Sequence, residues 1–194
     1  AGQAVRELVE ELPRGEEDYL DALRAYTNTI YGRLSETNAS QYFLDKTPAY
    51  GLVLPFLEKL YPEAHYVVLT RHPMAIHHSV AHSFFDGNYT QAMNDNPIVQ
   101  DYVPAIGEFL RRKAVDIVRV RYEDLTTNPE AEMKRVAEHI GLEFEPDLVT
   151  YGNKNHITKS FGDPMTVHKH DKPVTSSIHT WASDLKARPN DLKV

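Results

Sequence analysis

One short segment of the chain combines two residues that could bind an anion. The sequence TRHPMAIHHS contains Arg71 and, eight residues later, Ser79. An arginine offers a planar fork of donors suited to phosphate, and a serine adds a short hydroxyl donor. Because Ser79 falls about two turns into the predicted helix that follows, both side chains could face one anion. The alternative is that Arg71 pairs with a surface carboxylate or with helix carbonyl groups.

Two further segments carry polar residues of the same kind. In RVRYEDL, Tyr122 could stack on a planar ring or hydrogen-bond to it, while Glu123 and Asp124 could order the turn. Alternatively, Tyr122 simply packs and Asp124 caps the next helix. In LDKTPAY, Lys46 could place a point charge near a ligand. The alternative there is a solvated lysine beside Asp45.

The chain is also rich in histidine. His78 and His82 are four residues apart, a helical spacing that can chelate Zn²⁺. The sequence does not indicate a third ligand, and no HExxH motif is present, so we expect no metal. His168 and His170 lie in the polar segment GDPMTVHKHDK, where a general base could be exposed to substrate.

The pattern of apolar residues predicts the elements that position these side chains. Continuous or short apolar runs predict strands at 42–44, 66–69 and 117–120. Helical spacing and helix punctuation predict helices within 3–34 with a break at 13–15, and at 51–60, 74–85, 101–114, 128–142 and 176–185. Residues 86–100 predict a mobile surface loop, and 151–174 an irregular segment.

Alternating strands and helices predict an α/β fold with a central, mostly parallel sheet flanked by helices. In such a sheet, ligands bind beyond the carboxyl ends of the strands. Lys46, Arg71 and Tyr122 each follow a predicted strand. Each of the three is therefore a candidate for binding a ligand at the end of a strand.

Composition limits the class of protein. The chain has 194 residues, a formal charge of −7, 41% apolar and 25% charged residues, which predicts one globular domain. The lack of cysteine excludes a disulfide scaffold, thiolate catalysis and Cys-based zinc sites. The acidic balance argues against a nucleic-acid partner. Because neither a signal segment nor a membrane-length apolar run is found, we expect a cytoplasmic protein without a membrane partner.

Together the three motifs resemble those of the PAPS-dependent sulfotransferases. LDKTPAY resembles the family's Lys-Ser/Thr-Pro-x-Tyr segment, and YVVLTRHPMAIHHS its strand–Arg-x-Pro–helix–Ser motif. RVRYEDLTTNPEAEMKRVAEHIGL resembles its Tyr-Glu-Asp-Leu segment with the helix that follows. GDPMTVHKHDKPVTSSIHTW is similar to bacterial members, particularly the sulfotransferase domains of olefin-forming polyketide synthases. Order and spacing agree over about residues 42–185.

The resemblance implies a role for each matching residue. Arg71 and Ser79 would bind the 3′-phosphate of the donor, 3′-phosphoadenosine 5′-phosphosulfate (PAPS), and Tyr122 would contact its adenine. Lys46 would lie near the sulfuryl group or the bridging phosphate oxygen. His170 would serve the acceptor hydroxyl as base, and His168 is its rival because the alignment there is uncertain by a residue or two.

The implied activity is sulfuryl transfer from PAPS to a hydroxyl, without a metal. The acceptor would be a small molecule or a β-hydroxyacyl chain on a carrier protein, as in polyketide biosynthesis. Two other functions are weighed against this one. The first is a non-catalytic nucleotide- or partner-binding module of the same fold, and the second is a histidine-rich metal hydrolase.

One departure from the family pattern concerns the start of the chain. The family has the P-loop nucleotide-kinase-like fold and opens with a strand and a phosphate-binding loop of the type PKxGTT. Residues 1–41 contain no such glycine-rich turn. We therefore expect residues 1–194 to form a single sulfotransferase domain that is incomplete at its N-terminus.

Overall fold

A computed structural model describes residues 2–37, 39–152 and 170–187. Two strands lie in it, β1 (Tyr66–Thr70) and β2 (Ile117–Arg121). The α-helices are α1 (Gly2–Glu11), α2 (Glu16–Thr37), α3 (Leu54–Leu60), α4 (Pro73–Phe84), α5 (Tyr89–Asp95), α6 (Val103–Arg112), α7 (Tyr122–Thr127), α8 (Pro129–His139) and α9 (Thr180–Ala187). Short 3₁₀ or π turns cover Pro48–Val53, Ile98–Tyr102 and Pro146–Leu148.

The two strands pair in parallel, which confirms the predicted α/β class. Thr70 at the end of β1 lies opposite Arg121 at the end of β2. Both strands are rich in β-branched residues, and Val68, Val118 and Val120 are buried in the core. Among the described residues the sheet has these two strands. Their carboxyl ends therefore meet at one edge of the sheet.

The main apolar cluster lies where α4, α5 and the C-terminal helix α9 meet. Its buried members are Val80, Ala81, Tyr89, Ala92 and Leu185. Leu185 is 2% exposed, so α9 is an integral part of the core rather than a surface appendage. This packing holds α9 beside the start of α4, which follows directly on β1.

At the other end of the molecule, α2 holds α3 in place. The Nε of Arg24 donates to the carbonyl of Leu60, and its Nη2 donates to the carbonyl of Lys59. These are carbonyl groups at the C-terminus of α3, where the helix itself offers no partner. The predicted break between α1 and α2 is confirmed, with Gly15 at φ +58° in the connecting turn.

The prediction of a mobile loop at 86–100 is wrong. This segment forms α5 and then a π turn, and Asn88 caps α5 by accepting from the Gln91 N–H at 3.0 Å. Tyr89 and Ala92 are only 2% and 1% exposed, so burial against α4 decides the conformation of a turn-rich sequence.

The predicted strand at 42–44 is also wrong. The segment is assigned to neither a helix nor a strand, and Leu44 is 85% exposed. An extended chain becomes a strand only when a neighbour pairs with its backbone groups, and none of the described residues does so. Lys46 therefore does not follow a strand. None of the helices in the described ranges is long and apolar enough to cross a lipid bilayer.

Candidate functional site

The carboxyl ends of β1 and β2 open into a cavity of about 350 Å³. Three arginines, Arg71, Arg119 and Arg121, are among the residues that line it, together with Glu123. In a chain with a formal charge of −7, this is a local concentration of positive charge. The cavity is thus suited to an anion larger than a single phosphate.

Arg71 follows the last residue of β1 and is the most constrained of these arginines. Its guanidinium carbon lies 4.1 Å from the centre of the Tyr122 ring, a cation–π contact. Its Nη2 donates to the carbonyl of Ser177 at 3.0 Å. Its Nε is buried and has no hydrogen-bond partner among the described residues. A buried N–H without a partner is rare, and here it lies beside a cavity.

Tyr122 begins α7 directly after β2, so the end of the second strand places it beside Arg71. Its hydroxyl shares a hydrogen bond of 2.7 Å with the Ser177 hydroxyl. Ser177 therefore contacts both residues, through its carbonyl and its side chain. The structure brings together two of the residues that the sequence singled out.

Glu123 fixes the turn between β1 and α4. Its carboxylate accepts from the backbone N–H of His72 at 3.0 Å. Burial raises the pKa of Glu123, but the N–H groups of His72 and of Glu123 itself, with the charges of Arg121 and Arg71, outweigh it. The pKa is therefore lower than that of an ordinary glutamate, and the group is ionised at neutral pH.

Sequence reasoning missed two of the three arginines. Arg119 and Arg121 alternate with buried valines along β2, so both lie on the exposed face of the strand. Arg119 Nε donates weakly to the Thr70 hydroxyl at 3.4 Å, and Arg121 lies 3.5 Å from a carboxylate oxygen of Asp124. The signal was present in the sequence IVRVR, because alternation puts both arginines on the same face of the strand, and Arg121 is its last residue.

The C-terminal segment closes one side of the cavity. Trp181 on α9 stacks on His72, with ring centres 4.3 Å apart and planes at 17°. Ile178 and His179 complete this wall. The segment before α9 is therefore part of the site, although it lies more than a hundred positions beyond Arg71 (the Arg71–Ser177 separation is 106).

Comparison with known proteins identifies the family. Residues 3–146 match the profile of the Sulfotransferase family, which is well over half of the 194-residue chain. The chain belongs to the sulfotransferase family. The sequence resemblance noted above is thereby confirmed at the level of the family.

Two curated relatives extend this finding. Nodulation protein NoeE of Sinorhizobium fredii is 27% identical over 88% of this chain and 46% of its own length. The omega-hydroxy-beta-dihydromenaquinone-9 sulfotransferase Stf3 of Mycobacterium tuberculosis is 26% identical over 67% of this chain and 35% of its own length. This chain thus spans about half the length of these relatives, or less.

Two solved structures share the fold. The sulfotransferase domain from the curacin biosynthetic pathway superposes with a TM-score of 0.61 at 20% identity, over 93% of this chain and 71% of that one. The sulfotransferase domain of the Synechococcus PCC 7002 olefin synthase gives 0.65 at 24% identity, over 93% and 67%. At these identities, the likeness establishes a sulfotransferase fold.

Ser79 is the residue that the sequence placed with Arg71 as able to face one anion. It lies on α4, two turns beyond Arg71, and its side chain is exposed. It is not among the residues that line the cavity in the described part of the chain. Arg71 and Ser79 therefore do not line one cavity in this structure.

Lys46 lies on an exposed segment held by its neighbour Asp45. The Asp45 carboxylate accepts hydrogen bonds from the hydroxyls of Tyr31 on α2, at 2.5 Å, and of Tyr50, at 2.8 Å. These bonds, followed by burial and the charge of Asp45, raise the pKa of both tyrosines. Lys46 itself is exposed and does not line the cavity among the described residues.

His170 begins the last described segment and is exposed. The backbone carbonyl of the next residue, Asp171, accepts from the backbone N–H of Gly152 at 3.0 Å. His168 lies outside the described residues.

Proposed function

We propose that this chain transfers a sulfuryl group from PAPS to an acceptor hydroxyl. The observation that carries the proposal is the buried Nε of Arg71, which has no partner in the described residues and lies at the wall of an arginine-lined cavity. A phosphate oxygen would supply the missing acceptor, and a charge-assisted bond of this kind is strong. Membership of the sulfotransferase family supports sulfuryl transfer as the chemistry.

On the donor side, Arg71 and Ser79 would hold the 3′-phosphate, and Tyr122 would lie against the adenine. Phosphate binding would replace the Ser177 carbonyl as the acceptor of Arg71 Nη2, so a bond inside the protein is exchanged for one to the ligand. Arg119 and Arg121 would add long-range attraction for the anionic donor.

On the transfer side, Lys46 would stabilise the negative charge that develops on the leaving phosphate. His170 would accept the proton of the acceptor hydroxyl, with His168 as its rival. The oxygen of the acceptor forms a bond to sulfur while the bond from sulfur to the bridging phosphate oxygen breaks. The electron pair of that bond leaves with 3′-phosphoadenosine 5′-phosphate, and these steps balance without a metal.

For the acceptor we propose a β-hydroxyacyl chain on a carrier protein. The support is that the two solved structures compared above come from systems named as the curacin biosynthetic pathway and an olefin synthase. A free small-molecule hydroxyl is the other acceptor that the proposal admits. We place the activity in one domain and in the cytoplasm, where PAPS is made.

A second candidate function is a nucleotide- or partner-binding module without catalysis. The observation in its favour is that Lys46 and Ser79 are exposed and do not line the cavity among the described residues. A chain of this kind would bind the nucleotide through Arg71 and Tyr122 but would transfer nothing.

The experiment incubates the full chain with PAPS and a β-hydroxyacyl carrier protein and follows both products. We expect the acyl chain to gain one SO₃ group, detected by mass spectrometry, and 3′-phosphoadenosine 5′-phosphate to appear in equal amount. The chain with Lys46→Ala is the control, and we expect it to retain nucleotide binding. If the nucleotide binds but neither product forms with carrier-bound or free hydroxyl acceptors, the chain is a binding module without catalysis.

A further inference from the structure

A cluster of three potential metal ligands joins α4 to α9, outside the arginine-lined cavity. His78 and His82 lie one turn apart on α4, and Asp184 lies on α9. Their ligand atoms all lie within 4.8 Å of one another. The sequence indicated the two histidines but not the third ligand, because Asp184 is 102 positions away from His82.

The two distances from the carboxylate to the imidazoles are close to those between neighbouring ligands of a small transition-metal ion. Oδ2 of Asp184 lies 3.1 Å from Nε2 of His82 and 3.6 Å from Nε2 of His78. In a tetrahedral zinc site with bonds of about 2.0–2.1 Å, neighbouring ligand atoms lie about 3.3 Å apart. Small adjustments of the side chains would therefore place all three atoms around one ion.

The surroundings of the cluster orient its carboxylate. The hydroxyl of Tyr89 donates to Oδ2 of Asp184 at 2.7 Å, and Tyr89 is 2% exposed. Hydrogen bonds from such outer groups fix the ligands of metal sites. The side chains of His78, Asp184 and His82 are 19%, 24% and 40% exposed, so an ion can reach them from solvent.

We propose that His78, His82 and Asp184 bind one divalent transition-metal ion, for which Zn²⁺ is the best match. Two imidazoles and a carboxylate form a donor set that zinc commonly takes in proteins, with water or a fourth side chain completing the tetrahedron. The proposal does not depend on the proposed sulfuryl transfer, in which the ion takes no part.

Binding of the ion would restrict the position of α9 relative to α4. The ion would fasten α9 to α4, and α9 carries Trp181, whose ring stacks on His72 at the cavity wall. Ser177, which contacts Arg71 and Tyr122, lies shortly before the same helix. A metal at this cluster would therefore stabilise one wall of the cavity without entering it.

The chain offers its own reporter for the test, because Trp181 is its single tryptophan and lies one turn from Asp184. The full chain, without an affinity tag and stripped with a chelator, is titrated with Zn²⁺ while the fluorescence of Trp181 and the Tm are recorded. We expect saturation at one equivalent and a higher Tm. Co²⁺ should give the visible absorption of a tetrahedral site and be displaced by Zn²⁺.

Two variants and a matched control locate the ion. We expect His82→Gln and Asp184→Asn each to weaken Zn²⁺ binding more than about 10-fold, since even outer-shell changes reach this size. His65→Gln, an exposed histidine away from the cluster, should bind like the parent chain. Circular dichroism of the metal-free variants checks that each is folded, and His78→Gln replaces any variant that is not.

Two results would overturn the proposal. In the first, the parent chain shows neither a Zn²⁺-dependent change of Tm nor tetrahedral Co²⁺ absorption, which would leave the cluster as a hydrogen-bond network. In the second, the His82 and Asp184 variants bind Zn²⁺ as tightly as the parent, which would place the ion on other residues.

Discussion

The proposed donor side and the proposed transfer side of this chain are held in different ways. Arg71 and Tyr122 follow the ends of paired strands and contact each other and Ser177. Lys46 and His170 lie exposed on irregular segments. Rigid elements position side chains more accurately than loops, so we expect the donor side to be preorganised and the transfer side to become ordered when substrates bind.

The largest effect should come from the transfer side. His170→Ala should lower kcat by about 10²–10⁴-fold, because a positioned base contributes that much, while nucleotide affinity stays unchanged. The measurement is the initial rate of SO₃ transfer at saturating PAPS. His168→Ala is the matched control, and a loss in that variant with none at His170 would reverse the assignment of the base.

On the proposed donor side, loss of the contact between Tyr122 and adenine should change nucleotide affinity by less than the loss of the base changes kcat. Tyr122→Ala should weaken binding of 3′-phosphoadenosine 5′-phosphate by about 10-fold, since stacking of a base on an aromatic ring contributes about 1–3 kcal/mol. Tyr122→Phe keeps the ring and loses only the bond to Ser177, so it should bind nearly like the parent. Equal weakening in both variants, measured calorimetrically, would show that the hydroxyl matters and the ring does not.

The hydrogen bond by which Glu123 orders the turn before α4 should contribute to the free energy of unfolding. Glu123→Gln should lower the free energy of unfolding by about 1 kcal/mol at neutral pH, because the bond to the His72 N–H loses its charge. The folded-state pKa is lowered, so the ionised group stabilises the protein above the ordinary glutamate pKa. This contribution is lost as the pH falls through the lowered value.

Urea unfolding of parent and variant at a series of pH values measures this difference. The gap between the two should be constant near neutral pH and shrink as the solution is acidified below about pH 4, the ordinary range for glutamate. A gap that widens on acidification would contradict the role of the ionised carboxylate.

The smallest effect on nucleotide affinity should come from replacing Ser79, which is proposed for the donor side but is exposed in the free chain. If the hydroxyl reaches the 3′-phosphate on binding, Ser79→Ala should weaken the nucleotide by about 5-fold, within the range of one hydrogen bond. Ser83→Ala, one turn further along α4, is the control. Unchanged affinity in Ser79→Ala would mean that the residue stays outside the site, as its exposed position in the free chain suggests.

Sequence patterns predicted the parts of the fold that depend on local signals. Both strands and the residues at their ends follow from β-rich runs that are closed by a turn or a helix start. Arg119 and Arg121 could have been found in the same way, from the alternation in β2.

The parts that could not be predicted depend on distant contacts. A turn-rich sequence becomes α5 because Tyr89 and Ala92 are buried against α4. The segment 42–44 is not a strand because no described neighbour pairs with it. Ser177 and Asp184 reach Arg71 and His82 across about half of the chain, with separations of 106 and 102 positions. Spacing in the sequence carries no signal for such contacts.

The central claim is that Arg71 forms part of a preorganised site for the 3′-phosphate of the donor. Calorimetric titration of the full chain with 3′-phosphoadenosine 5′-phosphate tests it, in parallel with adenosine 5′-phosphate, for the parent, Arg71→Ala and the exposed control Arg33→Ala. We predict that Arg71→Ala weakens the bisphosphate by about 10- to 150-fold, as for a charge-assisted bond, and no longer distinguishes the two nucleotides. Arg33→Ala should bind like the parent. Equal affinities in the parent and Arg71→Ala, or no binding by the folded parent, would contradict the account.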